Sequence, residues 1–216
     1  MYIALEGIKG AGKSTLLTLL SEALEQSGLA HATFKPTQAM PQYMWWEQAY
    51  PQWQHDDAYR SALYTARANY HAEQTNFEDQ LIIGDRSILT SFVTRWDQQD
   101  DKAEFIRCIR EREYAVPVPD VVWYLHVDLD IVKQRLTARQ RSYGLHDETI
   151  SRLAMAQQAY QQIFQNKADL GLKNMQIQYF DANEKVELIL AKLLQSVKTV
   201  LKLENKTCDQ KMVMGV

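Results

Sequence analysis

The chain has 216 residues, 46% apolar and 24% charged, which is enough for one well-filled core with a small lid rather than for several domains. A formal charge of -3 leaves no global basic excess, which argues against a polymeric nucleic acid as partner and favours small-molecule chemistry. Cys108 and Cys208 lie far apart without metal-ligand spacing, so they exclude a zinc knuckle and read as reduced thiols of a cytoplasmic protein, and no apolar run is long enough to cross a bilayer.

The first predicted strand, Tyr2 to Glu6, is also too short for a signal peptide. It feeds Gly7-Ile8-Lys9-Gly10-Ala11-Gly12-Lys13-Ser14-Thr15, which fits the pattern Gly-x-x-x-x-Gly-Lys-Ser between a strand and a helix. Gly7, Gly10 and Gly12 carry no Cβ and accept positive φ, so main-chain N–H groups converge on a phosphate at the positive end of the next helix. Lys13 then reaches the β and γ phosphates and the Ser14 hydroxyl ligates Mg²⁺. The expected ATP-binding set here is Gly7, Lys9, Gly10, Ala11, Gly12, Lys13, Ser14 and Thr15. The helix carries the stripe Leu16, Leu17, Leu20, Ala23, Leu24 and stops at Gly28.

A second strand, His31 to Lys35, leads through Lys35-Pro36-Thr37 to an aromatic run, Tyr43-Met44-Trp45-Trp46, Tyr50, Trp53, Tyr59, Tyr64 and Tyr70, most of it expected to pack a core. Tyr64 and Tyr70 flank Arg67 on the predicted helix Asp56 to Asp79; Tyr64 and Arg67, three apart, share a face and a pocket. The third strand, Gln80 to Asp85, delivers Asp85 and Arg86 to its carboxyl end, the edge where open α/β sheets bind ligands. Asp85 there suits Mg²⁺ held through water and Arg86 suits phosphate oxygens; a plain strand-end ion pair is the alternative.

Further on come a helix Lys102 to Tyr114, a strand Val121 to Val127, helices Ile131 to Arg141 and Asp147 to Lys167, a strand Gln176 to Asp181 and a helix Glu184 to Lys202. Strands alternating with helices predict a doubly wound α/β fold, a five-stranded parallel sheet flanked by helices, as one domain over residues 1–204 with a flexible tail over 205–216. Asn166-Lys167-Ala168-Asp169 imitates a guanine-specificity tetrad but follows a helix, and no Asp has Gly three residues on, so a guanine-nucleotide switch is not expected.

In order and spacing, "EGIKGAGKST", "ARANYHAEQ", "IIGDRS" and "PDVVWYLHVDLDIVKQRLTARQR" resemble the motifs of thymidylate kinases, and "YFDANEKVELIL" is similar to their closing strand and helix, a likeness over roughly residues 1–203. The resemblance implies a phosphate-loop kinase that uses ATP and Mg²⁺ to phosphorylate a nucleoside monophosphate, dTMP to dTDP, with a small-molecule nucleotide as partner and a homodimer through long helices. It assigns Arg67 to the acceptor phosphate, Arg86 to the Asp-Arg-Tyr motif with Ser87 in place of Tyr, and a helical lid to about 135–148. In that lid Arg135 binds ATP and shares a helix face with Arg139; Arg139 and Arg141 are the catalytic arginines beside Lys13 and Arg86, consistent with Gly10 standing where others carry Arg.

Lys9 and Lys35 stand where that family usually has a carboxylate or a different motif, and Thr94-Arg95 where a Tyr-Gln pair would meet thymine. Two readings stay open: Lys9, Lys35 and Arg95 bind an acceptor with more negative charge, or all three are surface cations. Tyr64, Tyr70, Arg67, Lys35 and Arg95 thus form the expected acceptor set, and Ser14 and Asp85 the metal set. The first rival is a deoxynucleoside kinase, whose Glu-Arg-Ser resembles Asp85-Arg86-Ser87 and which needs a base for the sugar hydroxyl, with Glu6 or Asp85 available. The second is a nucleotide-binding regulator without turnover.

Overall fold

Strand β1 (Tyr2–Glu6) is buried along its whole length, as a strand covered on both faces must be. Its side chains alternate: Tyr2 and Ala4 enter one core, Ile3 and Leu5 another. The computed structural model describes residues 1–50, 55–78, 81–96, 100–138 and 149–213, with residue 46 and residues 202–213 as backbone only.

Five parallel strands, β1, β2 (His31–Phe34), β3 (Leu81–Asp85), β4 (Val121–His126) and β5 (Gln176–Asp181), lie in the order β2-β3-β1-β4-β5. From the central strand β1 the chain runs to the edge strand β2 and back to β3, then crosses to β4 and on to β5. The helices that follow the neighbours β1 and β3 lie on opposite faces of the sheet, the switch point where open sheets form a ligand crevice. The Ile3 and Leu5 face is covered by α1 (Lys13–Gln26), α6 (Leu129–Ala138) and α8 (Val186–Val213), with Leu16, Leu20, Val132, Leu193 and Val197 in that core. The Tyr2 and Ala4 face is covered by α3 (Asp57–Glu73), α4 (Ile88–Val93), α5 (Lys102–Arg112) and α7 (Ile150–Gln165), through Ala68, Phe92, Ile106, Tyr160 and Ile163.

Local chemistry fixes the helix starts. Asp56, Ser87, Asp101 and Thr149 each accept a hydrogen bond from an amide in the first turn of the helix that follows, so four termini carry side-chain caps. At the other end of α1, Gly28 takes φ +73° and the Leu29 amide donates to the Leu24 carbonyl at 3.0 Å, the closure expected where the stripe stops.

The predicted fold class is the observed one, with two differences along the chain. A 3-10 turn (Pro41–Tyr43) and α2 (Met44–Ala49) occupy part of the aromatic stretch, and Tyr43, Met44, Trp45, Tyr50 and, on α3, Tyr59 are 45–65% exposed, so these five do not pack a core; Trp53 and the Trp46 side chain lie outside the described residues. These elements follow the edge strand β2 in the chain. Helix α8 continues to Val213, past the predicted helix end at Lys202, because residues 203–213 contain neither Gly nor Pro and favour helix. Asn166-Lys167-Ala168-Asp169 closes α7: Lys167 Nζ donates to the Lys173 and Met175 carbonyls, fastening the turn into β5.

Candidate active site

The loop between β1 and α1 bends through positive φ at Gly7 (+140°), Gly10 (+89°) and Gly12 (+97°), and Gly12 is the left-handed N-cap of α1. Gly10 is also a packing requirement: a Cβ there would stand 2.8 Å from Val132 Cγ1 of α6. Lys13 is buried, and its Nζ donates to the Gly7 carbonyl at 2.8 Å and the Ile8 carbonyl at 3.0 Å, so the ammonium sits within the loop itself. Among the other loop residues, Lys9 is half-buried, Ala11 is buried, and Ser14 and Thr15 are exposed.

Strand alternation explains what faces this loop. Leu81, Ile83 and Asp85 share the face of β3 turned to α1, and the Ser14 hydroxyl donates to Asp85 Oδ2 at 2.6 Å. A hydroxyl and a carboxylate side by side at the mouth of a phosphate loop fit Mg²⁺, which takes one or two protein oxygens and fills its octahedron with water and phosphate. Among the described residues no three His, Cys, Asp or Glu side chains form a metal cage, so such an ion would rely on nucleotide oxygens.

The next residue, Arg86, is the one described non-glycine residue with positive φ (+81°). Gly84 makes the turn possible, since a Cβ there would lie 2.7 Å from the Arg86 carbonyl oxygen and 3.1 Å from the Tyr2 ring. Glu6 stands beside this turn, wholly buried, and both of its oxygens accept hydrogen bonds from Ser87, Thr90 and Tyr160. It is therefore not the general base that a nucleoside hydroxyl would need, because no oxygen is left facing the crevice. Burial, and then the Glu6 charge, push the Tyr160 phenol well above its usual range, so it remains a donor.

Arg67 on α3 is buried, donating to the Thr37 carbonyl at 3.0 Å and to Glu47 Oε2, with its guanidinium 5.0 Å from the centre of the Tyr64 ring. Tyr64 and Arg67 thus share one face as their spacing predicts. Glu47, on α2, is a partner of Arg67 that the sequence does not announce; the available signal is that it is the sole acid between residues 36 and 55. Tyr70 is half-buried, its ring 5.1 Å from His71, and Lys35 is exposed just past β2. Arg135 Nη2 donates to the Ala182 carbonyl at 2.9 Å and its Nη1 to the Gly10 carbonyl at 3.4 Å, so α6 is tied to the phosphate loop. Arg139 and Arg141, with most of the expected lid, lie outside the described residues.

Arg95, past the end of α4, is half-buried; burial lowers its guanidinium below the ordinary value, opposed by the charge of Glu113. Glu113, at the end of α5, accepts the Ser91 hydroxyl at 2.6 Å. Burial pushes its carboxyl up to about 7, with the Ser91 hydrogen bond and Arg95 pulling the other way. Arg95 belongs to a charge cluster with Glu113, Arg112, Asp57 and Arg60, between α3, α4 and α5, and is not a bare surface cation.

A phosphate loop at the switch point of a parallel sheet, with a hydroxyl–carboxylate pair and arginines around it, defines the class of phosphate-loop kinases. The chain matches the family model "Thymidylate kinase" over residues 5–193, and it belongs to that family; it is a nucleoside monophosphate kinase. A probable thymidylate kinase of Methanopyrus kandleri is 25% identical over 195 residues, covering 88% of this chain and 89% of that protein. Two solved structures share the fold. Deoxyadenosine kinase from M. mycoides, with dCMP and a flexible dCDP bound, has a TM-score of 0.66 at 21% identity, over 92% of this chain and all of that one. Thymidylate kinase from Candida albicans has a TM-score of 0.62 at 19% identity, over 92% and 91%. Among the described residues no helix is long and apolar enough to cross a membrane.

Proposed function

We propose that the chain transfers the γ-phosphoryl group of ATP to a nucleoside monophosphate, dTMP before others, giving ADP and dTDP. The observation that carries the reading is the Ser14 hydroxyl on Asp85 at 2.6 Å, next to Lys13 in the phosphate loop and to Arg86 in the chain. An acceptor phosphate is already an anionic nucleophile, so the reaction needs alignment and charge neutralisation more than a proton acceptor. One acceptor oxygen forms the new bond to the γ phosphorus as the bond from that phosphorus to the β–γ bridging oxygen breaks, and the electrons leave with ADP.

Lys13 leaves the loop carbonyls for the β and γ oxygens, and Arg86 meets the equatorial oxygens where charge spreads. Ser14 and Asp85 would hold Mg²⁺, which would supply charge neutralisation at the same phosphates. Arg67 takes the acceptor phosphate, with Tyr64 beside it for the base or sugar. Arg139 and Arg141 complete the cationic shell on the strength of the sequence resemblance. The family and the dATP-bound structure of the M. mycoides enzyme, TM-score 0.62, support ATP as donor.

A second reading has one observation in its favour. Glu47 brings a carboxylate to Arg67, and a nucleoside kinase needs such a base for a sugar hydroxyl. Incubation with ATP and Mg²⁺ across the common nucleosides and their monophosphates, with products separated by anion-exchange chromatography, decides between them. dTDP from dTMP with thymidine inert is the expected result. A monophosphate formed from a nucleoside would overturn the acceptor, and no ADP with any acceptor would leave a regulator without turnover.

A further inference from the structure

We propose that Glu6 is a positioning residue for Arg86, acting on its main chain through Ser87 and on its side chain through Thr90. The sequence puts an acid one residue before the phosphate loop, at the end of a strand whose even positions point into the core under α4 and α7. A carboxylate wholly removed from water is costly unless every lone pair finds a donor, and here four donors from two segments converge on it. Oε1 accepts the Ser87 amide at 2.7 Å and the Ser87 hydroxyl at 2.6 Å; Oε2 accepts the Tyr160 phenol at 2.6 Å and the Thr90 hydroxyl at 3.2 Å.

Ser87 follows Arg86 in the chain, Thr90 accepts a hydrogen bond from the Arg86 guanidinium, and Arg86 is strained. Arg86 holds φ +81°, a region that strains a β-carbon-bearing residue and persists only where neighbours over-determine it. The neighbours are on both sides: the Arg86 amide donates to the Leu5 carbonyl at 3.0 Å, and the Ser87 amide, one peptide on, donates to Glu6. The Ser87 hydroxyl also accepts the Leu89 amide at 3.2 Å as the cap of α4, so Glu6 fixes where that helix begins. The side-chain route is separate. Thr90 Oγ1 gives its proton to Glu6 and accepts Arg86 Nη1 at 3.4 Å, so the guanidinium is joined to the carboxylate through one hydroxyl. Tyr160 adds α7, the helix downstream of residues 139–148, to the same anchor.

The role rests on the phosphoryl-transfer reading, and its test separates the two. Thr90→Val removes the hydroxyl at nearly constant volume; Thr90→Ser keeps it. Thr90→Val and Glu6→Gln are each expected to lower kcat roughly tenfold, the size of one hydrogen bond to a charged group, while Thr90→Ser stays within about twofold. Once Arg86 is replaced by Ala, Thr90→Val and Glu6→Gln should each change kcat by less than about twofold, because their effect runs through Arg86. Equal losses with and without Arg86, or Thr90→Val and Thr90→Ser behaving alike, overturn the proposal. Calorimetric affinity for Mg²⁺ and a nonhydrolysable ATP analogue gives the same ordering without turnover. A wild type that binds the analogue but releases no ADP with any acceptor therefore ends the kinase reading, and the affinities of the Thr90 pair still decide the role of Glu6.

Discussion

Replacing Glu113 by Gln should make the protein more stable, and only above the pH where carboxylates ordinarily ionise. Folding buries Glu113 and lifts its pKa from 4.5 to about 7, the attraction of Arg95 already counted. Below pH 4.5 folded and unfolded chains both hold the proton, so Gln and Glu are equivalent. As the pH climbs, the unfolded chain sheds the proton first, and the wild type loses stability until the folded carboxyl ionises near 7. A gap of about 2.5 pH units at about 1.4 kcal/mol each makes Glu113→Gln more stable than wild type by about 3 kcal/mol at pH 8, and by less than about 1 kcal/mol at pH 5. Urea unfolding of both proteins at the two pH values measures this. A difference that is the same at pH 5 and pH 8, or a Gln variant less stable at pH 8, would refute the burial argument for this carboxyl.

Lys13→Ala should lower kcat by about 10²–10³, the cost of one preorganised donor to the transferred phosphoryl group, in an ADP-release assay. Asp85→Asn and Ser14→Ala should each raise the Mg²⁺ concentration needed for half-maximal rate by roughly tenfold with folding unchanged, and a Mg²⁺ titration of the rate reads this. Gly10→Ala meets both φ +89° and Val132 Cγ1 at 2.8 Å, whereas Gly12→Ala meets only φ +97° with no atom within 4 Å. Thermal melts should show Gly10→Ala losing about 2–4 kcal/mol and Gly12→Ala about 1–2 kcal/mol. Glu47→Gln should lower the KM for dTMP severalfold if the carboxylate merely competes with the acceptor phosphate for Arg67, and loss of turnover in steady-state kinetics would make Glu47 a general base instead.

The sheet was legible because β1, β3 and β4 are buried on both faces and read as apolar runs, and because the glycine loop must stand between a strand and a helix. Lys13, Ser14 and Asp85 were legible for the same reason, since strand alternation aims Asp85 at α1. What stayed hidden depends on long-range geometry. Nothing local marks Glu6 as the acceptor of four hydrogen bonds, one of them from a residue 154 positions away. The pairing of Glu47 with Arg67 depends on α2, a six-residue helix whose composition looks like core. Sequence leaves Arg95 open between an acceptor-binding and a surface cation, because the charge of Glu113 reaches it only through the fold.

The central claim is that the amides from Gly10 to Ser14 hold the transferred phosphates and that Lys13 turns to meet them. A crystal structure with Mg²⁺ and a nonhydrolysable ATP analogue measures it directly. The account predicts the β and γ phosphates within hydrogen-bond distance of those amides, with Lys13 Nζ moved from the Gly7 and Ile8 carbonyls onto phosphate oxygen. An analogue bound elsewhere, with Lys13 still on those two carbonyls, would contradict it.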